Sequence, residues 1–597
     1  MKHTYQNGAI ILEGQAHEEA IYHVSNESLS AAFDGRGMLA YYATAGNEPL
    51  TSRFGFTVFV DGAAADICGK KLVTMIGRRQ SIAWHLTDEI CLLIDQFLDV
   101  ALRGVLVSYR LLGRIGSHTV EVGVMHTRFG VGQAELCASG RALLGEKAAY
   151  AADRAFDYVP ENHAVYLTLN AATPAVNTYL LPGGHMSENE MLAVIDGFEA
   201  LAERSRREVE EISVPEGLTE QEKAMFYSTY FCSLESFKAK GDYRAFMAGY
   251  RYLLPMRSYY RDSYFTVLPM YDGHSDKVRD QLMTLARGIS ADGSCPSAVR
   301  SDFTEWWGDH FDSPSYLAMM LYDYVRFTGD TAVMDAPVGD ATLLQCAMRA
   351  VEHLGERADE TGLLSKPGDY NKCDWADEVN RVGYVTYNEA LYYRAMISLS
   401  RLYALRGEAG VSEDWLARAA RVKRAVNEIL WDEELGYYIN FKQGDHTERN
   451  LSIDTVFAVL FGIADEARAR SVLSRMEALL ESANNPALAN MGDFGAACVY
   501  PLYGGARSAY YKSARPYDYH NGANWPYLTA MYALAKRKHG MAWREVLGSW
   551  FDYNVARGNY TPIEYFSPVC PDGSLLQAWG GDVAFVLNVA LSEHFWD

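Results

Sequence analysis

The sequence predicts a multidomain protein, β first and α after: an antiparallel β-sandwich over 1–185, a linker helix over 186–216 and an (α/α)6 barrel over 217–597. Three observations predict it. From about residue 8 to 180 apolar residues alternate with polar ones, the period of half-buried strands. The period then becomes helical and stays so to the end of the chain. That helical stretch, about 380 residues, divides into roughly six hairpins of about sixty residues, the size of such a barrel, although no sequence repeat is visible.

In the first region Phe54, Phe56, Val58 and Val60 alternate before an Asp61-Gly62 turn, Val120, Val122 and Val124 repeat the pattern, and Val165, Leu167 and Leu169 repeat it again. Asp34-Gly35-Arg36-Gly37 is a further turn signal. Ser187 with Glu190 then forms a capping box for one helix carrying Leu192, Ile195, Phe198 and Leu201, continued by the charged run from Glu203 to Glu208 and ended near Pro215-Glu216-Gly217. Thr219 with Glu222 opens the helical region. Ser313 with Pro314 caps a helix that stops at Thr328-Gly329, Thr386 with Glu389 reads as a capping box for a helix over about 387–405, and Ser412 caps one running to Leu430.

Composition bounds the chemistry. At 597 residues a prior of about 150 per domain allows two to four domains, and 49% hydrophobic with 22% charged residues describes a globular chain without an apolar run of membrane-spanning length. Met1 through Gly8 is not backed by an apolar stretch of signal-peptide length, so the expected location is cytoplasmic. Nine cysteines with no Cys-x-x-Cys pair fit neither a disulfide framework nor a zinc site, and no metal or cofactor is expected. A net charge of -22 disfavours nucleic acid and anionic membrane. The expected partner is a small neutral oligosaccharide or glycoside. With 40 Tyr and 11 Trp, aromatic faces are available to stack on pyranose rings, or simply to fill a large core.

The centre of the helical region is Asp374-Trp375-Ala376-Asp377-Glu378, three carboxylates on a loop that no helix explains. Loops at one end of a helical barrel converge on its cavity, where a desolvated carboxylic acid gains the raised pKa a general acid needs. A solvated or calcium-binding acidic loop is the alternative. Other candidate site segments are Arg261-Asp262-Ser263-Tyr264, Glu305-Trp306-Trp307-Gly308-Asp309, Tyr517 through Pro526, Pro562 through Pro568, and Gln577-Ala578-Trp579-Gly580. Two adjacent tryptophans cannot both enter one core from one face, so one of Trp306 and Trp307 is expected to stack on sugar. Arg261 with Asp262 is equally well read as an ion pair at a helix start. Glu564, alone among apolar and aromatic neighbours, suits a general base holding water or a structural glutamate paired with an arginine.

Asp374 through Gly383 resembles the general-acid loop of inverting (α/α)6-barrel, six-hairpin carbohydrate enzymes: the debranching-enzyme glucosidase domain, neutral invertase-like and glucosidase-like hydrolases, and more distantly cellobiose phosphorylase-like enzymes. The resemblance implies Asp377 as proton donor, with Trp375 lining the subsite where the bond breaks and Asp374 a sugar or loop ligand. Arg261-Asp262 resembles the segment of these barrels that contacts the nonreducing-end sugar. His520-Asn521-Gly522-Ala523-Asn524-Trp525-Pro526 resembles their His-Asn/Gln-Gly-x-x-Trp-Pro segment, which implies Tyr519, His520, Asn521 and Trp525 at the sugar. The loop of Glu564, with Gln577 and Trp579 beyond it, resembles the place where the hydrolases carry their second carboxylate. Asp309, Trp306 and Trp307 complete the expected set.

The implied reaction is inverting, exo-acting hydrolysis of a short neutral oligosaccharide of α-glucosidic type, with Asp377 as acid and Glu564 as base. Inversion requires the two carboxyl groups to stand about 6.5–9.5 Å apart. The alternatives are an inverting disaccharide phosphorylase, a sugar 2-epimerase-type isomerase using His520 and His310, and a non-catalytic sugar-binding protein.

Overall fold

A computed structural model describes residues 2–15, 21–37, 39–44, 54–183, 185–249, 252–253, 255–368, 373–504, 509–569 and 580–597. Its contacts divide the chain into two units, Met1–Phe231 with Asn554–Thr561, and Cys232–Tyr553 with Pro562–Asp597.

The first unit is built of antiparallel sheets. One has ten strands, in the order Lys2–Gln6, Ala9–Gln15, Lys70–Ile76, Arg79–His85, Ile90–Leu98, Val105–Gly113, Ala175–Leu181, Ala149–Ala152, Ala142–Gly145 and Ala134–Leu136. A second has five strands and centres on Val120–Met125, paired with Ala164–Leu169 and Gly55–Val60. The alternation of the sequence is visible here, since Phe56, Val58, Val120, Val122, Val165 and Leu167 are all buried. Phe56 meets Trp84 and Tyr109 of the ten-stranded sheet at ring-centroid distances of 6.4 and 6.1 Å, so the two sheets face each other as a β-sandwich. Asp61 and Gly62 both take positive φ, as a tight hairpin turn demands.

The segment after the sheets is two helices, Glu188–Asp196 and Phe198–Glu210, and not one. Ser187 and Glu190 make the expected capping box, but Gly197 interrupts the helix. Met191, Ile195, Phe198 and Ala202 bury one stripe against Phe97, Leu106, Tyr179 and Leu181 of the ten-stranded sheet.

In the second unit six helices touch in a closed ring: Tyr260–Val267, Ser313–Thr328, Thr386–Leu405, Val456–Leu460, Pro526–Lys538 and Gly581–Leu587, the last meeting the first. They are buried on nearly every side, as helices walled in by neighbours must be. Between them in the chain run Ser275–Ala286, Leu343–Gly355, Ala409–Ile429 and Glu466–Leu479, which bury a single stripe and expose the rest. This inner-and-outer alternation is an (α/α)6 barrel. None of the described helices is long and apolar enough to cross a membrane. None of the eight described cysteines is in a disulfide, and five of them are buried.

Three caps differ from expectation. Asp312, not Ser313, is the N-cap of its helix, and its carboxylate makes no cap because Arg261 and His310 occupy it. Thr386 and Glu389 form no capping box: Val385 holds the N-cap position, the Thr386 hydroxyl donates to the Ile439 carbonyl, and Glu389 accepts the Leu364 amide at 2.9 Å. Ser412 lies inside the helix Ala409–Ile429 and bonds to Ser400.

Phe265 ties the ring together, its side chain meeting Tyr316, Phe457 and Tyr527 of three other inner helices at 5.6, 6.0 and 4.7 Å. Phe265→Ala is expected to lower stability by about 3–5 kcal/mol, and the exposed Leu405→Ala by less than about 0.5 kcal/mol. Urea denaturation followed by far-UV circular dichroism checks both values.

Candidate active site

The expected site segments are loops that enter the inner helices. Arg261 and Asp262 occupy the first turn of Tyr260–Val267. Trp307 precedes Ser313–Thr328, Asp377 precedes Thr386–Leu405, Tyr519 and Trp525 precede Pro526–Lys538, and Glu564 precedes Gly581–Leu587. Because the inner helices form one ring, their N-terminal loops gather at one end of it. There they surround a small cavity of about 70 Å³, partly open to solvent and lined by Tyr252, Tyr259, Arg261, Asp262, Trp307, Trp375, Asp377, Tyr519, Trp525, Tyr527 and Glu564.

The acidic loop owes its position to a buried cluster of four charges. Lys366 Nζ stands 2.7 Å from Asp374 Oδ2 and Arg381 Nη2 2.8 Å from Asp374 Oδ1, while Asp454 accepts from both Arg381 and the Trp375 indole. The side chains of Lys366, Asp374, Arg381 and Asp454 are at most 1% exposed. Burial alone would raise the Asp374 pKa, but Arg381 and Lys366 hold it well below the usual carboxylate range. Asp374 also accepts the Ala376 amide at 3.0 Å, which bends the chain immediately before Asp377.

The three carboxylates of the loop therefore have three separate environments. Asp374 is in the charge cluster, Asp377 faces the cavity, and Glu378 accepts the Ser513 amide at 3.0 Å and its hydroxyl at 3.3 Å. The Glu378 carbonyl accepts the Tyr510 amide at 2.9 Å, so the segment around Tyr510–Ser513 is fastened to the acidic loop.

His520 is buried behind the lining. It stacks on Trp525 at 5.0 Å and 12°, and meets Trp375 edge-on at 5.0 Å. Burial, reinforced by the Arg381 and Arg261 charges, pushes its pKa well below the usual imidazole value, so it is neutral. Its Nδ1 accepts the Glu378 amide at 3.4 Å and lies 3.7 Å from Asp377 Oδ1. A neutral ring places no positive charge beside Asp377.

On the opposite loop Tyr565 stacks on Trp525 at 5.4 Å and 23°, and Asn524 and Phe566 exchange backbone hydrogen bonds at 3.0 and 3.1 Å. These contacts fix Glu564, which is buried. Asp262 sits nearby; burial first, and then the Glu564 charge, push its pKa up to about 8 against the opposing pull of Arg261. The Tyr519 hydroxyl is raised by burial and further by both Asp377 and Glu564, so this phenol is within electrostatic reach of both carboxylates.

The expected set divides in two. Arg261, Asp262, Trp307, Trp375, Tyr519 and Trp525 line the cavity with Asp377 and Glu564. Asp374, His520, Asn521, Trp306 and Asp309 do not. Asn521 bonds to the Tyr503 amide and the Ser513 carbonyl, bracing its loop. Trp306 is sandwiched by the Arg257 and Arg300 guanidinium groups at 4.4 and 4.7 Å, which leaves Trp307 as the tryptophan at the cavity. Asp309 is taken by Arg357 and His353. Gln577 and Trp579 lie outside the described residues. Tyr252, Tyr259 and Tyr527 complete the lining without having been singled out by any motif. Adjacency of Tyr259 and Tyr527 to the Arg261-Asp262 and Trp525-Pro526 segments is the signal that could have found two of them.

Residues 335–574 match the family described as the mannosylglycerate hydrolase MGH1-like glycoside hydrolase domain. A solabiose phosphorylase of Paenibacillus borealis is 29% identical over 195 residues, 29% of this chain and 25% of that protein. An N,N'-diacetylchitobiose phosphorylase of Vibrio furnissii is 28% identical over 142 residues, 22% of this chain and 17% of that protein. The matches thus span a quarter or less of these relatives. A bacterial glucoamylase solved in complex with acarbose has the same fold, with a TM-score of 0.64 over 98% of this chain and 96% of that one at 11% identity. Family match and fold together uphold the resemblance to the six-hairpin, (α/α)6-barrel glycoside hydrolase superfamily.

Proposed function

We propose that this glycosidase-type protein is an inverting, exo-acting glycoside hydrolase of short neutral oligosaccharides with α-glucosidic linkage. The observation that carries the reading is the placement of Asp377 and Glu564 on one cavity, from loops before two different inner helices. Asp377 gives its proton to the leaving oxygen. Glu564 takes a proton from water attacking the opposite face of the sugar, and the anomeric centre inverts. Arg261 and Asp262 hold hydroxyls of the nonreducing-end sugar, and Trp307, Trp375, Tyr519 and Trp525 supply its apolar walls.

Phosphorolysis is the second reading, favoured by the names of the matched relatives. It needs no base, and a glutamate at the attacking face repels phosphate. Epimerisation through His520 and His310 has less support, because His310 is buried on Asp312 at 2.7 Å and neither histidine lines the cavity.

Asp377→Asn and Glu564→Gln are each expected to lower kcat by about 10²–10⁴-fold, the usual share of general acid–base catalysis, while disaccharide binding by calorimetry persists. Proton NMR of the first-formed product from a panel of α- and β-linked disaccharides reports the anomer. Inversion in phosphate-free buffer is expected; retention sinks the pairing, and phosphate-dependent release of a sugar phosphate unaffected by Glu564→Gln replaces hydrolysis with phosphorolysis.

Asp262 supplies a pH dependence. Below about pH 8 it is a neutral acid able to donate to a sugar hydroxyl, and above it a second negative charge joins Glu564 in the cavity. An alkaline limb in kcat/KM near pH 8 is expected, and Asp262→Asn should move that limb upward. Since the folded pKa lies above the ordinary carboxylate value, Asp262 makes folding less favourable as pH rises from that value to about 8, and adds no further change beyond. Denaturation midpoints of wild type and Asp262→Asn across pH 4–8 should therefore diverge, with the variant gaining relative stability toward the alkaline end.

A further inference from the structure

Tyr511 has no place in the reading so far. Among the described residues it is the most exposed of the large hydrophobic side chains, 78% exposed, and its backbone is left-handed at φ 45°. A bulky residue at positive φ costs of order 1 kcal/mol and persists only where the surroundings impose it. The surroundings here do so. On one side the Tyr510 amide is held by the Glu378 carbonyl; on the other Ser513 is held by the Glu378 carboxylate, by the His520 amide donating to its hydroxyl at 3.2 Å, and by Asn521 donating to its carbonyl at 3.0 Å. The fold thus fixes a strained loop whose aromatic ring it does not bury.

Beside Tyr511 is Lys512. Its ammonium lies 4.8 Å over the ring of Tyr519 and 5.4 Å over that of Tyr565, and among the described residues no carboxylate stands within 4.0 Å of it. Tyr519 lines the cavity, so the ammonium, itself exposed, stands over a ring of the lining, and its segment is the one fastened to the acidic loop. A general acid protonates the leaving-group oxygen, so the groups fastened to its loop are those the leaving group meets.

We propose that Tyr511 and Lys512 form the leaving-group subsite and select a neutral pyranose ring there, Tyr511 offering an apolar face for stacking and Lys512 donating to ring hydroxyls. The assignment rests on Asp377 being the proton donor. The leaving group is neutral because an anion at this place would meet the Glu564 carboxylate across the cavity and the Glu378 carboxylate beneath Ser513, against the single ammonium of Lys512. A tyrosine face with a lysine donor matches a sugar ring, which presents axial hydrogens on one face and hydroxyls at its edge.

The test compares two substrates with one glycosyl group: the best disaccharide, whose leaving group is a ring, and the glycosyl fluoride, whose leaving group is a single atom. The readout is the ratio of their kcat/KM values. Tyr511→Ala and Lys512→Ala are each expected to lower that ratio by about 10-fold, the equivalent of about 1.4 kcal/mol of leaving-group binding. Tyr511→Phe should restore it, since the ring face is kept. An unchanged ratio in both alanine variants overturns the subsite and leaves the hydrolase reading standing, and so does a glycoside of glycerate that outperforms the disaccharide and loses that advantage in Lys512→Ala, which makes the preferred leaving group anionic. A wild-type protein inactive on every disaccharide and fluoride overturns the hydrolase reading, and the subsite falls with it.

Discussion

The arrangement depends on four charges buried under the acidic loop. Lys366 and Arg381 balance Asp374 and Asp454, and each carboxylate bonds to at least one cation. Removing any single partner leaves an unpaired buried charge, at a cost of about 3–5 kcal/mol, so the cluster is present whole or the loop is lost. Its gain is directional more than energetic. Asp374 and Asp454 between them hold the Ala376 amide, the Trp375 indole and the Arg381 guanidinium, and together these fix both flanks of Asp377.

A general acid must stay protonated until it acts, which a neighbouring positive charge opposes. Here the cations nearest Asp377 in sequence are already neutralised by Asp374 and Asp454, and the imidazole 3.7 Å away is uncharged. Arg261 is likewise committed to Asp312 at 2.7 Å. The charge of Arg261, which lines the cavity, is therefore largely met before substrate arrives.

Much of this was legible in the sequence because motifs report local chemistry. Asp374-Trp375-Ala376-Asp377 and His520 through Pro526 pointed to neighbouring loops, and the structure brings both onto one cavity through Trp375, Asp377 and Trp525. What sequence could not divide was lining from support. His520 and Asn521 belong to the same motif as Trp525, yet they do not line the cavity, because a neutral imidazole stacks on one indole and meets another edge-on, and an amide side chain satisfies the loop's own backbone. Capping was misplaced for a related reason: Thr386 and Glu389 have the spacing of a capping box, but Ile439 and Leu364 offer tertiary partners that the local pattern cannot foresee. Charge pairs between residues as distant as Arg381 and Asp454 leave no local pattern at all.

Left-handed aromatic residues tie support to lining. Trp307 at φ 48° and Tyr519 at φ 46° both line the cavity, and Tyr511 and Tyr517 in the adjoining loop share the conformation at φ 45° and 60°. Glycine would take these angles without strain; Phe303 and Trp596 take them as well, away from the cavity, so it is the lining position of Trp307 and Tyr519 that sets those two apart. The structure holds them by different means at each place: Trp307 follows Trp306, clamped between two guanidinium groups, and Tyr519 lies between the Ser513 and Asn521 contacts. Trp307 and Tyr519, so held, both border the cavity, and a pyranose requires an aromatic surface there.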